Sequence, residues 1–335
     1  MALGTISAAG DVSRRGLVAG AVVLAGARAA AGQEAPYPSR YLTMVVQYPA
    51  GGAVDNAARL VAPALGAELG QSVVVDNRPG AGGNIGTDVA ARAAPDGHTL
   101  LFANQGPITI NPHTFPSLPS NPMTQLAPVS MINKGPLLLV VHKDVPVRTL
   151  DELAAYARQR PGELNFAVSS VGGITHVGLE LILQRLNLSV TQVTYRGSGA
   201  TTTDLLGGRL AGMLDGISFL RPHVESGQLR AILVTSQARS PFLPDTPSMA
   251  EAGHPELAFE SWNGLFAPAG TPRRIIDRLH RAVTTALADV PLRERVAGAG
   301  ITLAPSASSA EFEAFVRAEF ERWGAVVRTA GISVQ

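Results

Sequence analysis

The chain has 335 residues, 46% of them hydrophobic, and a net charge of only +1. So even a balance excludes nucleic acid as the main partner, because phosphate binding needs a concentrated basic face. There is no cysteine, so neither disulfides nor thiolate zinc sites enter, and a chain this long can bury a core without them.

Residues 1–32 read apart from the rest. Arg14-Arg15 precedes an apolar run of roughly a dozen residues and then small residues, the layout of a signal peptide. The run is too short for a bilayer, which takes about twenty apolar residues. Ser13-Arg14-Arg15-Gly16-Leu17 resembles a twin-arginine export signal without its usual Phe; the general secretory route and an uncleaved interfacial anchor are the alternatives. Cleavage after Ala27-Arg28-Ala29 or Ala29-Ala30-Ala31 gives a mature chain beginning near Gln33, free in the periplasm, since no cysteine offers a lipid anchor.

Beyond it, apolar runs at 41–48, 72–76 and 98–104 read as strands, separated by helical patterns at 54–69 and 84–93. Pro63 falls inside the first helix and predicts a kink or restart there. Residues 107–128 are rich in proline and read as an ordered surface excursion. The rhythm then restarts with a strand at 136–144, helix 149–159, strand 164–170, helix 175–186, strand 190–196, helix 200–207 and strands 210–215 and 229–236. Helical patterns at 272–288 and 308–329 close the chain. Strand–helix alternation with short glycine-bearing links predicts an α/β fold with largely parallel sheets. The spacing predicts two lobes, one inserted in the other: 33–135 with 229–335 as the first, 136–228 as the second.

The loop "DNRPGAGGNIGTD" (76–88) invites a nucleotide reading, which its residues reject. Counting from Gly80 and Gly82, the third dinucleotide glycine is replaced by Ile85, and no lysine follows Gly86 as a phosphate loop requires. Two roles remain for these glycines: a turn from strand to helix, or direct backbone contact with a ligand. No Gly-x-Ser-x-Gly elbow is present, the seven histidines lack metal-ligand spacing, and Asp151-Glu152 face different ways on a helix. These residues call for no catalytic group, metal or cofactor.

Four glycine- and hydroxyl-rich loops follow predicted strands: "YPAGGAVD" (48–55), "ANQGPI" (103–108), "SSVGGITH" (169–176) and "YRGSGATTTD" (195–204). In an open α/β sheet that edge binds ligands. Helix starts there present free N–H groups backed by the helix dipole, an arrangement that favours an anion without lysine or metal.

In order and spacing, "YPAGGAVDNAARL", "GQSVVVDNRPGAGGNIGTDVAARAAPDGHTLLF", "YRGSGATTTDLLGG", "LVTSQARSPFLPDTPSMAEAG" and "WNGLFAPAGTP" resemble the exported Bug-type solute-binding proteins of tripartite tricarboxylate transporters, from about Tyr37 to the end. The resemblance implies a two-lobed type II periplasmic-binding fold with a ligand cleft between lobes. It also implies a small organic carboxylate as ligand, hinge closure, and delivery to membrane permease subunits. Carried over by residue, the first lobe supplies Ala50, Gly51, Gly52 and Ala53, with Asp55 behind them and Gln105 and Gly106 opposite. The second supplies Ser170, Thr175 and His176, then Gly197, Ser198 and Ala200, and Asp215 on a neighbouring strand. Two departures stand out: Val54 replaces the family's Ser or Thr before Asp55, and Arg196 replaces its usual Lys. For Asp55, a first-turn role competes with ligand contact; for His176, Thr175 and Asp215, structural roles compete likewise. Trp262 and Trp323 read as packing. An exported α/β enzyme acting on carboxylates and a receptor feeding a signalling partner are the rival functions.

Overall fold

The computed structural model describes residues 1, 2, 4, 5 and 36–333. The expected export signal, with Arg14, Arg15 and the apolar run behind them, lies outside the described residues, as does Gln33. The strands and helices below all belong to the unit that begins at Arg40.

That unit holds two five-stranded sheets. In the first, β1 (Leu42–Val46), β2 (Val73–Asn77) and β3 (Thr99–Asn104) run parallel in the order β2-β1-β3; antiparallel β10 (Ser261–Pro268) and the edge strand β4 (Leu126–Gly135) follow. In the second, β6 (Asn165–Val168), β7 (Thr191–Thr194) and β8 (Gly212–Gly216) run parallel in the order β7-β6-β8; antiparallel β5 (Leu137–His142) and edge strand β9 (Leu229–Val234) follow. The inner strands of both sheets, such as TLLFAN in β3 and LLLVVH in β5, are apolar almost throughout because both their faces are buried.

Each sheet takes its antiparallel strand from the chain that has just arrived from the other. β5 enters behind Pro136, and β10 enters behind Phe259. Thr235 ties both crossings: its hydroxyl accepts from the Leu137 N–H at 3.0 Å and donates to the Phe259 carbonyl at 2.8 Å. The expected return of the chain at 229 is therefore corrected. Leu229–Val234 pairs with β5, and Met249, Leu257 and Phe259 still pack in the second core, so the return falls near 260.

Among the described residues, eight helices have eight residues or more: α1 (Ala53–Leu69), α2 (Asn84–Ala91), α3 (Leu150–Arg158), α4 (Ile174–Leu186), α5 (Ile217–Glu225), α6 (Arg273–Ala288), α7 (Val290–Gly298) and α8 (Ser309–Ala330). α1 runs through Pro63 without a restart. Within the expected excursion stand a wide turn at Gly106–Ile110 and two single helical turns, Asn111–Thr114 and Pro122–Gln125. β4 escapes the sequence reading because Pro128 interrupts its pattern; the missing N–H is tolerated because β4 is an edge strand. α5, with Pro222 inside it, escapes for a similar reason. Among the described residues, no helix is long and apolar enough to cross a membrane.

α8 makes a third link between the lobes. Its start is fixed by a reciprocal cap, in which the Ser308 hydroxyl accepts from the Glu311 N–H at 3.0 Å and the Glu311 carboxylate accepts from the Ala307 N–H at 2.6 Å. Phe312 and Val316 then pack with Trp262 and Phe266 of the first lobe, whereas Trp323 and Val327 pack in the core of the second. Between them the buried Glu319 accepts from both indoles, Trp262 at 3.2 Å and Trp323 at 3.1 Å. Both tryptophans are packing residues, as expected, and one carboxylate joins them.

Candidate functional site

The C-terminal ends of the parallel strands in the two sheets face each other, and their loops touch. The Tyr48 hydroxyl behind β1 lies 3.1 Å from the Ser170 hydroxyl behind β6, and it also donates to Asn104 at 3.2 Å. Burial pushes the Tyr48 phenol up to about 12, against the pull of Ser170 and Asn104 and with the help of Asp215. A neutral donor thus spans the junction. Backbones approach so closely here that side chains are excluded. Gly197, at φ 100°, packs on Pro49, where a Cβ would stand 3.0 Å from the proline Cδ. Gly82, at φ 64°, would set a Cβ 2.5 Å from the Val171 carbonyl oxygen. That is the tertiary role of the "GAGG" loop: it turns the chain and rests against the second lobe.

Behind these contacts lies a cavity of about 500 Å³, within the usual range for small-molecule sites. The first turns of three helices from both lobes line it: Ala53 and Val54 of α1, Ile174 and Thr175 of α4, Ile217 and Ser218 of α5. All three helices start at a glycine, respectively Gly52, Gly173 and Gly216, with no side chain capping the first turn. Lysine and arginine are present in the wall but engaged. Lys134 pairs with Glu260 at 2.8 Å, Arg239 with Glu251 at 2.9 Å and Arg322 with Glu319 at 3.2 Å.

Asp215, at the end of β8, is a buried acid of the wall. Burial pushes its carboxyl above the ordinary carboxylate range; the Ser169 hydroxyl at 2.6 Å, the Gly216 N–H at 2.7 Å and the Ser198 hydroxyl at 2.8 Å oppose that shift. Its lone pairs therefore hold two loops of its own lobe in place.

Of the residues named from sequence, Ala53, Thr175 and Asp215 line the cavity. Gly52, Gly106, Ser170, Gly197 and Ser198 sit at the contact between lobes, with a Cβ on Gly52 falling 4.0 Å from the Ser198 hydroxyl and one on Gly106 falling 3.2 Å from the Gly173 Cα. Ala50 and Gly51 are exposed on the rim. Three of the named side chains are already hydrogen-bonded within the protein. Asp55 accepts from the Gly51 N–H at 2.9 Å, Arg59 at 2.9 Å and Asn77 at 2.9 Å. Gln105 accepts from the Trp262 N–H at 2.8 Å and donates to the Glu260 carbonyl at 3.1 Å, stitching β3 to β10. The Nδ1 of His176 accepts from the Gly172 N–H at 3.1 Å, and burial lowers the imidazole's pKa against the pull of Glu180. Ala200 and Arg196 are exposed and outside the cavity wall.

Sequence reasoning missed Asn104, Asn133 and Asn263 in the wall, together with Gly216 and Ile217. "FANQG" and "WNG" carried a signal, an amide at the end of an apolar strand, but nothing in the sequence brought β3, β4 and β10 side by side.

Two α/β lobes of matching topology, crossed twice by the chain and enclosing a polar cavity at their facing strand ends, define a two-lobed solute-binding receptor of the periplasmic-binding fold. The chain belongs to a particular branch of that class: residues 57–332 match the tripartite tricarboxylate transporter family receptor. It is 38% identical over 313 residues to protein BugT of Bordetella pertussis, covering 92% of this chain and 96% of the relative. Among solved structures, Rpa4515 of R. palustris with adipate superposes with a TM-score of 0.85 at 35% identity, covering 89% of this chain and 99% of the other. MatC of Rhodopseudomonas palustris with bound malate gives 0.82 at 33% identity, covering 87% and 100%.

Proposed function

We propose that this receptor is exported, captures a small organic carboxylate between its lobes without chemical change, and hands it to the membrane permease subunits of a tripartite tricarboxylate-type transporter. The observation that carries the reading is the convergence of three uncapped helix starts, from both lobes, on one cavity. N–H groups and helix dipoles at those positions favour a negative charge. With the cationic side chains of the wall already paired, the carboxylate is held mainly by backbone amides. Each such bond to a charged group contributes about 1.5–3 kcal/mol, so three or four of them reach micromolar affinity, about −8 kcal/mol. Adipate and malate in the two related structures are acids of this kind.

The lobes in this reading are residues 40–135 with 261 onward, and 136 to 260. Export rests on the arginine pair and apolar run of residues 14–25 and a mature start near Gln33. A thermal-shift screen of organic acids against the chain from Gln33 tests the function. Stabilisation by acids is expected; stabilisation by neutral sugars and by no acid overturns it.

A further inference from the structure

Three asparagines form a row across the first sheet where it walls the cavity. Asn104 on β3 and Asn133 on β4 stand directly opposite Asn263 on β10, one on each side. Residues opposite one another on neighbouring strands share a face, with Cβ atoms about 5 Å apart. The side chains therefore form one strip of amides.

Their hydrogen bonds leave a specific remainder. Asn263 Nδ2 donates to Asn133 Oδ1 at 3.1 Å. Asn104 Oδ1 accepts from the Tyr48 hydroxyl and from the Gly106 N–H, both at 3.2 Å. Asn263 Oδ1 is buried, in a residue only 7% exposed, and has no partner. Asn104 Nδ2 and Asn133 Nδ2 likewise have none among the described residues. Leaving a buried acceptor without a partner is destabilising, a penalty that a donor on the guest relieves. The strip thus presents one acceptor between two donors.

Only some chemical groups answer that pattern. A carboxylate cannot donate and an ammonium cannot accept, whereas a hydroxyl donates once and accepts twice. We infer that the Asn104–Asn263–Asn133 row recognises a hydroxyl of the guest, so that this receptor selects hydroxy-carboxylates over the corresponding unsubstituted acids and amino acids. The inference rests on the proposal that the cavity takes a carboxylate and names the second group that carboxylate carries.

Calorimetric titration of the chain from Gln33 with matched sets tests it: propionate, lactate and alanine; succinate, malate, aspartate and succinamate; glutarate, 2-hydroxyglutarate and glutamate. In at least one set the hydroxy acid is expected to bind about tenfold tighter than its unsubstituted partner, because a site built around a hydroxyl rejects analogues lacking it. In Asn263→Leu that preference shrinks to less than about threefold, and Asn133→Ala serves in its place if the leucine variant does not fold. Equal binding within every set, tighter binding of the amino acid or of succinamate, or a preference untouched in the folded variant overturns the inference while leaving carboxylate capture standing. Failure of every acid to bind overturns both.

Discussion

The helices of this protein begin in two ways. Away from the cavity, α3, α7 and α8 start at Thr149, Asp289 and Ser308, whose side chains accept from the first-turn N–H groups of Glu152, Leu292 and Glu311. At the cavity, α1, α4 and α5 start at Gly52, Gly173 and Gly216, and no side chain caps them. Two remote starts are exceptions: α2, behind Gly83, and α6, behind Pro272, also lack a side-chain cap. Capped starts satisfy their own donors and contribute stability; glycine starts leave those donors to whatever enters between the lobes. In the proposed reading, the binding site is made by withholding a local hydrogen bond at three places that the fold brings together.

Converting one type of start into the other gives the largest expected effect. Gly52→Asp installs a capping carboxylate at the head of α1, where φ is −82° and the nearest atom to a Cβ is the Pro49 carbonyl oxygen at 3.7 Å, so the fold accepts it. The new charge occupies the donors and repels an anion. Acid binding is expected to weaken at least about 100-fold by titration, the loss of two charged hydrogen bonds, with thermal stability unchanged or slightly raised. Retained affinity removes the first loop from the site. Gly82→Val is expected to weaken binding about tenfold by blocking the approach to Val171, and to lower stability because the position is left-handed. Binding unaffected by that bulk means that the Gly82 contact is not part of capture.

The two buried aspartates sharpen the contrast through pH. Burial raises the Asp215 carboxyl despite the Ser169, Gly216 and Ser198 donors, so its contribution to stability is present below the ordinary carboxylate pKa and is lost as pH rises through the raised value. Asp55 has the opposite sign. Burial opposes ionisation there, but Arg59, the Gly51 N–H and Asn77 outweigh it, and the stability present above the ordinary value is lost as pH falls through the depressed one. In melting curves against pH, Asp215→Asn should flatten the loss above the ordinary range and Asp55→Asn the loss below it. Interchanged behaviour would reverse the assigned roles. The smallest effect belongs to the remote caps: Thr149→Ala should cost about 1 kcal/mol of stability in denaturant unfolding and leave acid binding unchanged. A change in affinity there would mean that the two kinds of helix start are not independent.

Much of the architecture was legible along the chain. The strands β1, β3, β5 and β9 and the helices α1, α4 and α8 stand close to the apolar runs and periodicities that predict them, because burial demands those patterns locally. Where proline breaks the pattern, in β4 and α5, the reading failed, since an edge strand and a surface helix tolerate a missing N–H that pattern reasoning penalises. Glycine-rich loops at strand ends pointed to the region where the two lobes meet. They did not say which way each residue turns: Asp55, Gln105 and His176 carry polar groups in that region and spend them on hydrogen bonds within the protein.

By itself, then, the sequence determined the alternation of strand and helix, the place of the glycine loops, the family motifs and the absence of a thiol-based site, all matters of local chemistry and short-range order. The tertiary structure alone decided that the crossing falls near 260 and that one carboxylate, Glu319, joins two tryptophans packed in different cores. It alone also aligned Asn104, Asn263 and Asn133 on a single row. Most of those facts depend on pairing between residues far apart in the chain, and strand register is set by how whole sheets pack, which no single stretch of chain encodes.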